Sequence, residues 1–244
     1  MKLIADTKTL LNENPEAAVL LGIAPHSFED FADLAGILFA NICNSPAVGE
    51  CVATVYRENS SLVELSVHDI DETARRNFEP GGPPATLLFS RGVQAIIGHR
   101  VAHQLWTDGN TNLALAIKSI CGRTFDTDIH PAARIGAGFW LDHGLGFVAG
   151  ETSVIEDNVS IWHNVTLGST LNDDGAFRHP HIGRGAVIGA GAILLGGITI
   201  GADANIAAGA IVVEDVPEGR LIVGGKAQLR GIAGVSFTKT DQTS

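Results

Sequence analysis

From Ile129 onward, apolar residues return at every sixth position. The chain reads IHPAAR, IGAGFW, LDHGLG, FVAGET, SVIEDN, VSIWHN and VTLGST, breaks at LNDDGAFRHPH, and resumes at Ile182 as IGRGAV, IGAGAI, LLGGIT, IGADAN, IAAGAI and VVEDVP. The first place of each six is apolar except at Ser153, and the second or fourth is very often Gly or Ala. A period of six is neither the stripe of an amphipathic helix nor the alternation of a half-buried strand. Very short strands joined by small-residue turns satisfy it, with every sixth side chain aimed at a common axis. Three sixes close a triangular coil of about 18 residues, and each coil buries its apolar places only against its neighbours. The pattern predicts a parallel β-helix of roughly four to five coils across 126–232, interrupted once near 171–181.

Residues 1–125 lack the sixes and read as helices, and 233–244 as a flexible tail. Pro15 after Asn14 suits a first helical turn, and Ser27 with Asp30 resembles a capping box ahead of FADLAGILFANIC. A third helix is expected over 47–58 and a short one near His68 and Asp69. Pro83-Pro84 opens a long helix over 84–108, its apolar stripe running from Leu87 and Leu88 to Leu105 and Trp106, with Gly109 as its stop. A last helix covers 111–121. The expected fold class is therefore α+β, an all-helical N-terminal domain followed by a β-helix. A cap or an oligomerisation surface is the plain role for the helical half.

Composition narrows the function. The net charge of −11 argues against general nucleic-acid binding. No apolar run is long enough to span a membrane, and the N-terminus does not open a signal peptide. Cys43, Cys51 and Cys121 lie outside the repeats and form no CxxC pair, which points to reduced thiols and a cytoplasmic location.

A solenoid is a scaffold, so function must be sought in residues that break its pattern. Asp128 and His130 stand at the mouth of the repeats. Asp142 and His143 fill places where small residues would serve, and Arg178-His179-Pro180 closes the interruption. Each has a plain explanation alone, since an Asp at a coil corner often binds backbone N–H groups. Their coincidence is what points to a site. Asp128 precedes His143 by 15 residues, three short of a coil, which predicts adjacent rungs about 5 Å apart. A carboxylate holding one imidazole nitrogen leaves the other free as a base.

DIHPAARIG, LDHGLG, GETSVI, NVSIWHNVTLG, RHPHIG and GVQAIIGHRVAHQLW resemble the motifs of serine O-acetyltransferases over about residues 69–225. The resemblance implies a left-handed parallel β-helix, a homotrimer or dimer of trimers, and acetyl-CoA in a groove between neighbouring β-helices, with no metal. It makes His143 the general base, Asp128 the carboxylate that orients it, and Asp142 a residue facing the serine amine. Arg178 and His179 correspond to the pair at the acceptor's carboxylate and hydroxyl. Ser169, Thr170, Ala190 and Ala208 match places where backbone meets the pantetheine arm, and Lys226 and Arg230 are candidates for the CoA phosphates. The implied reaction is acetyl-CoA-dependent O-acetylation of L-serine, an entry to cysteine biosynthesis. Direct transfer is preferred, because no cysteine lies in the solenoid.

The departures matter as much. Gly168-Ser169-Thr170-Leu171 stands where the family has GGTG, and Asp142-His143-Gly144-Leu145-Gly146 where it has DHATG. Asn77 occupies the place of the family's amine-binding aspartate, with Glu79 nearby, and the tail FTKTDQTS lacks the terminal isoleucine used to dock a sulfhydrylase, so that complex is not expected. An acyltransferase with another hydroxylated amino acid or another acyl group is the alternative. A zinc lyase of the γ-carbonic-anhydrase type fits poorly, because position 184 is Arg and His181 follows His179 by two. A bare scaffold leaves Asp128, His143 and His179 unexplained.

Overall fold

The computed structural model describes residues 2–77, 80–170, 175–226 and 228. Among them, eight helices precede the first strand: α1 (Lys2–Glu13), α2 (Pro15–Leu21), α3 (Phe31–Ile42), α4 (Pro46–Glu58), α5 (Ser60–Asn77), α6 (Gly82–Phe89), α7 (Arg91–Thr107) and α8 (Thr111–Phe125). None is long and apolar enough to cross a membrane. Local chemistry accounts for most of the boundaries. Pro15 opens α2, and Gly22 closes it in the left-handed region, with φ 65°. Ser45 caps α4 by accepting the Val48 N–H.

Three expectations change. The cap of α3 is Asp30, whose carboxylate accepts the Asp33 N–H at 2.9 Å, while the Ser27 hydroxyl donates to the Ala24 carbonyl instead. The short helix near His68 is the middle of the 18-residue α5, which buries Leu62, Ser66, Ile70, Thr73 and Ala74 along one face. The single helix over 84–108 is two helices. Ser90 is extended (φ −83°, ψ 111°) and caps α7 through the Val93 N–H. The apolar stripe runs unbroken across this bend, so periodicity could not reveal it. The bend drives the start of α7 against the solenoid: a β-carbon on Gly92 would lie 1.9 Å from the Leu141 carbonyl oxygen. Only glycine allows that approach.

The sixes form a parallel β-solenoid of about five turns with three faces. One face stacks β1 (Thr127–Ile129), β4 (Phe147–Ala149), β7 (Thr166–Gly168), β10 (Ile193–Leu195) and β13 (Ile211–Val212). A second stacks β2 (Arg134–Ile135), β5 (Val154–Ile155), β8 (His181–Ile182) and β11 (Thr199–Ile200). The third stacks β3 (Trp140–Leu141), β6 (Ser160–Ile161), β9 (Val187–Ile188), β12 (Asn205–Ile206) and β14 (Leu221–Ile222). Ile155, Ile182 and Ile200 pile up inside the second face and Ile161, Ile188 and Ile206 inside the third, all at or near zero exposure. Coil length is not uniform. Val187 pairs with Asn205 at the regular 18 residues. Trp140 pairs with Ser160, 20 residues on, and Ser160 with Val187, 27 on, across the interruption.

The helices are bolted to the first coil by two guanidinium groups. Arg100 on α7 is 3% exposed and binds the Asp69 carboxylate through Nε and Nη2 at 3.1 and 2.9 Å. It also donates to the carbonyls of Ile135 and Gly136. The other Asp69 oxygen accepts the Phe139 N–H at 3.1 Å. Burial pushes the Asp69 carboxyl above its ordinary range, and the Arg100 charge opposes that rise. Arg76 on α5 reaches the carbonyls of Gly138 and Asn158 and the Ser160 hydroxyl. Beside Arg100, His99 is buried, and neither of its ring nitrogens meets a partner of good geometry. Burial, and then the charges of Arg100 and His103, hold it well below its ordinary 6.5.

Two consequences are testable. Arg100→Met leaves the Asp69 carboxylate buried without its partner and is expected to cost about 3–5 kcal/mol, read as a lower midpoint in chemical denaturation. His99 titrates near pH 6.5 once unfolded but resists protonation when folded. Its stabilising contribution is therefore complete above that pH and declines as pH falls below it. Thermal melts at pH 7.5 and 5.5 should show a larger acid-side drop for the wild type than for His99→Leu.

Candidate active site

The corner joining β3 to β4 is two residues longer than the equivalent corner joining β6 to β7. The surplus makes a tight loop in which His143, Gly144 and Gly146 all take positive φ, 60°, 80° and 65°. For a histidine this conformation is costly, and it projects the ring outward, its side chain 64% exposed. Nε2 lies 3.3 Å from Asp142 Oδ2. Gly144 abuts the Gly92 α-carbon, so the N-terminus of α7 sets the position of the loop.

A cavity of about 350 Å³ opens between this loop, the end of α5 and the bend between α6 and α7. Its lining includes Asn77, Asp142 and His143, three of the residues expected from the sequence, together with Ser90 and Arg91, which were not expected. Ser90 and Arg91 escaped notice because a continuous helix would have carried them elsewhere.

Above the cavity the corner repeats. His143, His163, Ala190 and Ala208 hold equivalent places in successive coils, as the β3–β6–β9–β12 register requires. The Gly191 N–H reaches the His163 carbonyl and the Gly209 N–H the Ala190 carbonyl. The His163 ring meets His143 edge-on at 5.5 Å, with its Nδ1 buried and unpartnered. His163 was also missed, because in uniform sixes it falls at the fifth place and His143 at the third; the two-residue surplus hides their equivalence. Gly224 closes on Gly209 and Ala210 at the head of this edge, and Lys226 follows, exposed.

Asp128 is not bonded to His143. Its strand partner is Val148, and its carboxylate makes an ion pair with Lys118 of α8. The expected adjacency assumed an 18-residue coil, and the first coil has 20. The carboxylate beside His143 is Asp142. His130 accepts the Ala132 N–H and packs on Trp106, a structural role.

The remaining candidates lie on a different edge, at the corners that follow β4 and β7. There Glu151 and Thr152 sit below Arg178 and His179. Arg178 Nη2 binds Glu151 Oε2 at 2.6 Å, and this bond holds the Glu151 carboxyl below its ordinary range. The His179 ring bonds Thr152 through Nδ1. Ser169 and Thr170 follow β7 on the same edge, both exposed. The β1–β4–β7–β10–β13 face separates the two edges, so one chain carries two half-sites. Glu79, Leu171, Arg230 and residues 233–244 lie outside the described residues. Among the described residues, no three His, Cys, Asp or Glu side chains converge as a metal site.

Comparison with known proteins places this geometry. The family model described as bacterial transferase hexapeptide (six repeats) matches residues 179–213. The chain is 50% identical over 162 residues to serine acetyltransferase 2 of Arabidopsis thaliana, covering 66% of this chain but only half of that protein's length. It is 36% identical over 232 residues to the serine acetyltransferase of Escherichia coli K12, covering 93% of this chain and 85% of that protein. The solved serine acetyltransferase of Brucella abortus in complex with coenzyme A superposes with a TM-score of 0.81 at 33% identity, covering 96% of this chain and 95% of that one. A match of that identity along nearly the whole of both chains, carried by a helical region seated on the same hexapeptide solenoid, makes this chain a member of the serine acetyltransferase family.

Proposed function

We propose that this protein transfers the acetyl group of acetyl-CoA to the hydroxyl of L-serine, giving O-acetylserine and CoA. The observation that carries the reading is the cavity where Asn77, Asp142 and His143 converge, at the foot of an edge rising through His163, Ala190 and Ala208. The small residues leave a track for an extended pantetheine arm, ending at the imidazole. His143 takes the serine hydroxyl proton as the oxygen attacks the thioester carbonyl. The tetrahedral adduct then collapses, the C–S bond breaks, and the departing thiolate recovers the proton from His143. Base catalysis of this kind contributes about 10²–10⁴-fold. Asp142 supplies negative charge for the acceptor's ammonium, and Asn77 accepts a hydrogen bond from it.

Arg178 and His179 reach the acceptor from a neighbouring copy. A threefold, left-handed assembly that sets the second edge of one chain against the first edge of the next supports this, since each chain holds both halves apart. Ser169 and Thr170 then flank the pantetheine from the neighbour, with Lys226 near the phosphates. A cytoplasmic location belongs to the same reading. Asn77, a neutral amide where the family has a carboxylate, favours a second possibility, another hydroxylated amino acid as acceptor. Losing that charge weakens a charge-assisted contact to an ammonium.

Thiol release from acetyl-CoA, measured across L-serine, D-serine, homoserine and threonine with product masses, decides between them. L-serine should give the highest kcat/KM; preference for another acceptor would establish the alternative. His143→Ala should fold and bind CoA while kcat falls about 10²–10⁴-fold; wild-type turnover would remove His143 as the base. Asp128→Asn tests the orienting role: a kcat loss of roughly tenfold or more assigns Asp128 to His143, and unchanged turnover leaves it only its bond to Lys118.

A further inference from the structure

Thr152 has no role in the reading so far, yet it makes three hydrogen bonds to one residue. Its backbone N–H donates to His179 Nδ1 at 3.2 Å. Its hydroxyl lies 2.9 Å from the same nitrogen and accepts the His179 backbone N–H at 3.1 Å. A backbone N–H can only donate, so Nδ1 must be an acceptor and carries no proton. The threonine hydroxyl proton therefore also points to Nδ1, since the oxygen is already accepting from the His179 amide. Two donors converge on one lone pair, and the neutral ring has its proton at Nε2. Gly150 completes the seat. A β-carbon there would fall 1.9 Å from His179 Nε2, so any larger residue would push the ring out of this alignment.

We infer that Gly150 and Thr152 are positioning residues that hold His179 in its Nε2–H form, making it a fixed hydrogen-bond donor to the acceptor and barring it from acting as a base. The inference rests on the acyl-transfer reading above. It also divides the work of the two histidines. His143, on its exposed loop, takes the proton, while His179, with its lone pair occupied, offers an N–H to the acceptor or to the oxyanion that forms during attack. A donor already aligned before the reaction needs no reorganisation when charge develops.

The test pairs a tautomer measurement with kinetics. In ¹⁵N-labelled protein, with the His179 signals assigned by their loss in His179→Gln, long-range ¹H–¹⁵N spectra should show Nε2 protonated and Nδ1 bare. A protonated Nδ1 in the neutral ring would overturn the inference whatever the enzyme catalyses. A glutamine can present an N–H donor but cannot act as a base, so His179→Gln should keep kcat within about tenfold of wild type, whereas His179→Ala should lose roughly 10²–10³-fold. Equal losses in the two variants would also overturn it. Thr152→Val should lower kcat about tenfold at unchanged KM for acetyl-CoA and admit the Nδ1–H form, and Thr152→Ser should restore both. Retention of the wild-type tautomer and kcat by Thr152→Val would remove Thr152 from the role. Failure of the acyl-transfer reading would show instead as absent thiol release in the wild type, with the tautomer result intact.

Discussion

The structure depends first on the buried Arg100 guanidinium. A solenoid made of sixes has an open end, where the first coil would leave carbonyls unpaired, and each buried unpaired carbonyl is costly. Arg100 covers those of Ile135 and Gly136, and Asp69 both balances its charge and accepts the Phe139 N–H. Arg76 does the same for Gly138 and Asn158. The helices are thus a hydrogen-bonding cap for the solenoid, in addition to covering it with apolar surface. Their placement follows from the polar ends of the first coil as much as from their own stripes.

That cap also makes the cavity. Because α5 and α7 are pinned to the first coil, the end of α5 brings Asn77, and the bend before α7 brings Ser90 and Arg91, to the loop that carries His143. Gly92 lets the backbones touch, and the two additional residues in the corner loop give His143 its left-handed backbone and its exposure. A regular coil would have kept position 143 flush with the edge above it. The site therefore arises where the repeat is broken, while the regular coils above it supply a straight, small-residue track.

The division of the candidates between two edges has a physical cause. A triangular coil turns three corners, and residues placed 35 positions apart, such as His143 and Arg178, need not share one. Within one chain the intervening face keeps them apart. The same geometry gives each chain both kinds of edge, which is the condition for a cyclic assembly in which every site is complete.

Much of this was legible in the residues. The sixes dictate three-faced parallel coils because only inward apolar side chains at that spacing bury against each other, and the Gly and Pro signals place α2, α4 and the end of α7. Asn77, Asp142 and His143 could be chosen as site residues because they interrupt that pattern. The sequence could not show that Ser90 bends a continuous apolar stripe, since the stripe is satisfied by either path. It could not show that the first coil has 20 residues, because a two-residue loop leaves the sixes intact on both sides. From that one local surplus follow the separation of Asp128 from His143, the alignment of His163 with it, and the pairing of His143 with Asp142. Pattern records which side chains face inward, a property of each short segment. Which polar groups meet is a property of distances between segments, and those were decided only when the helices closed on the first coil.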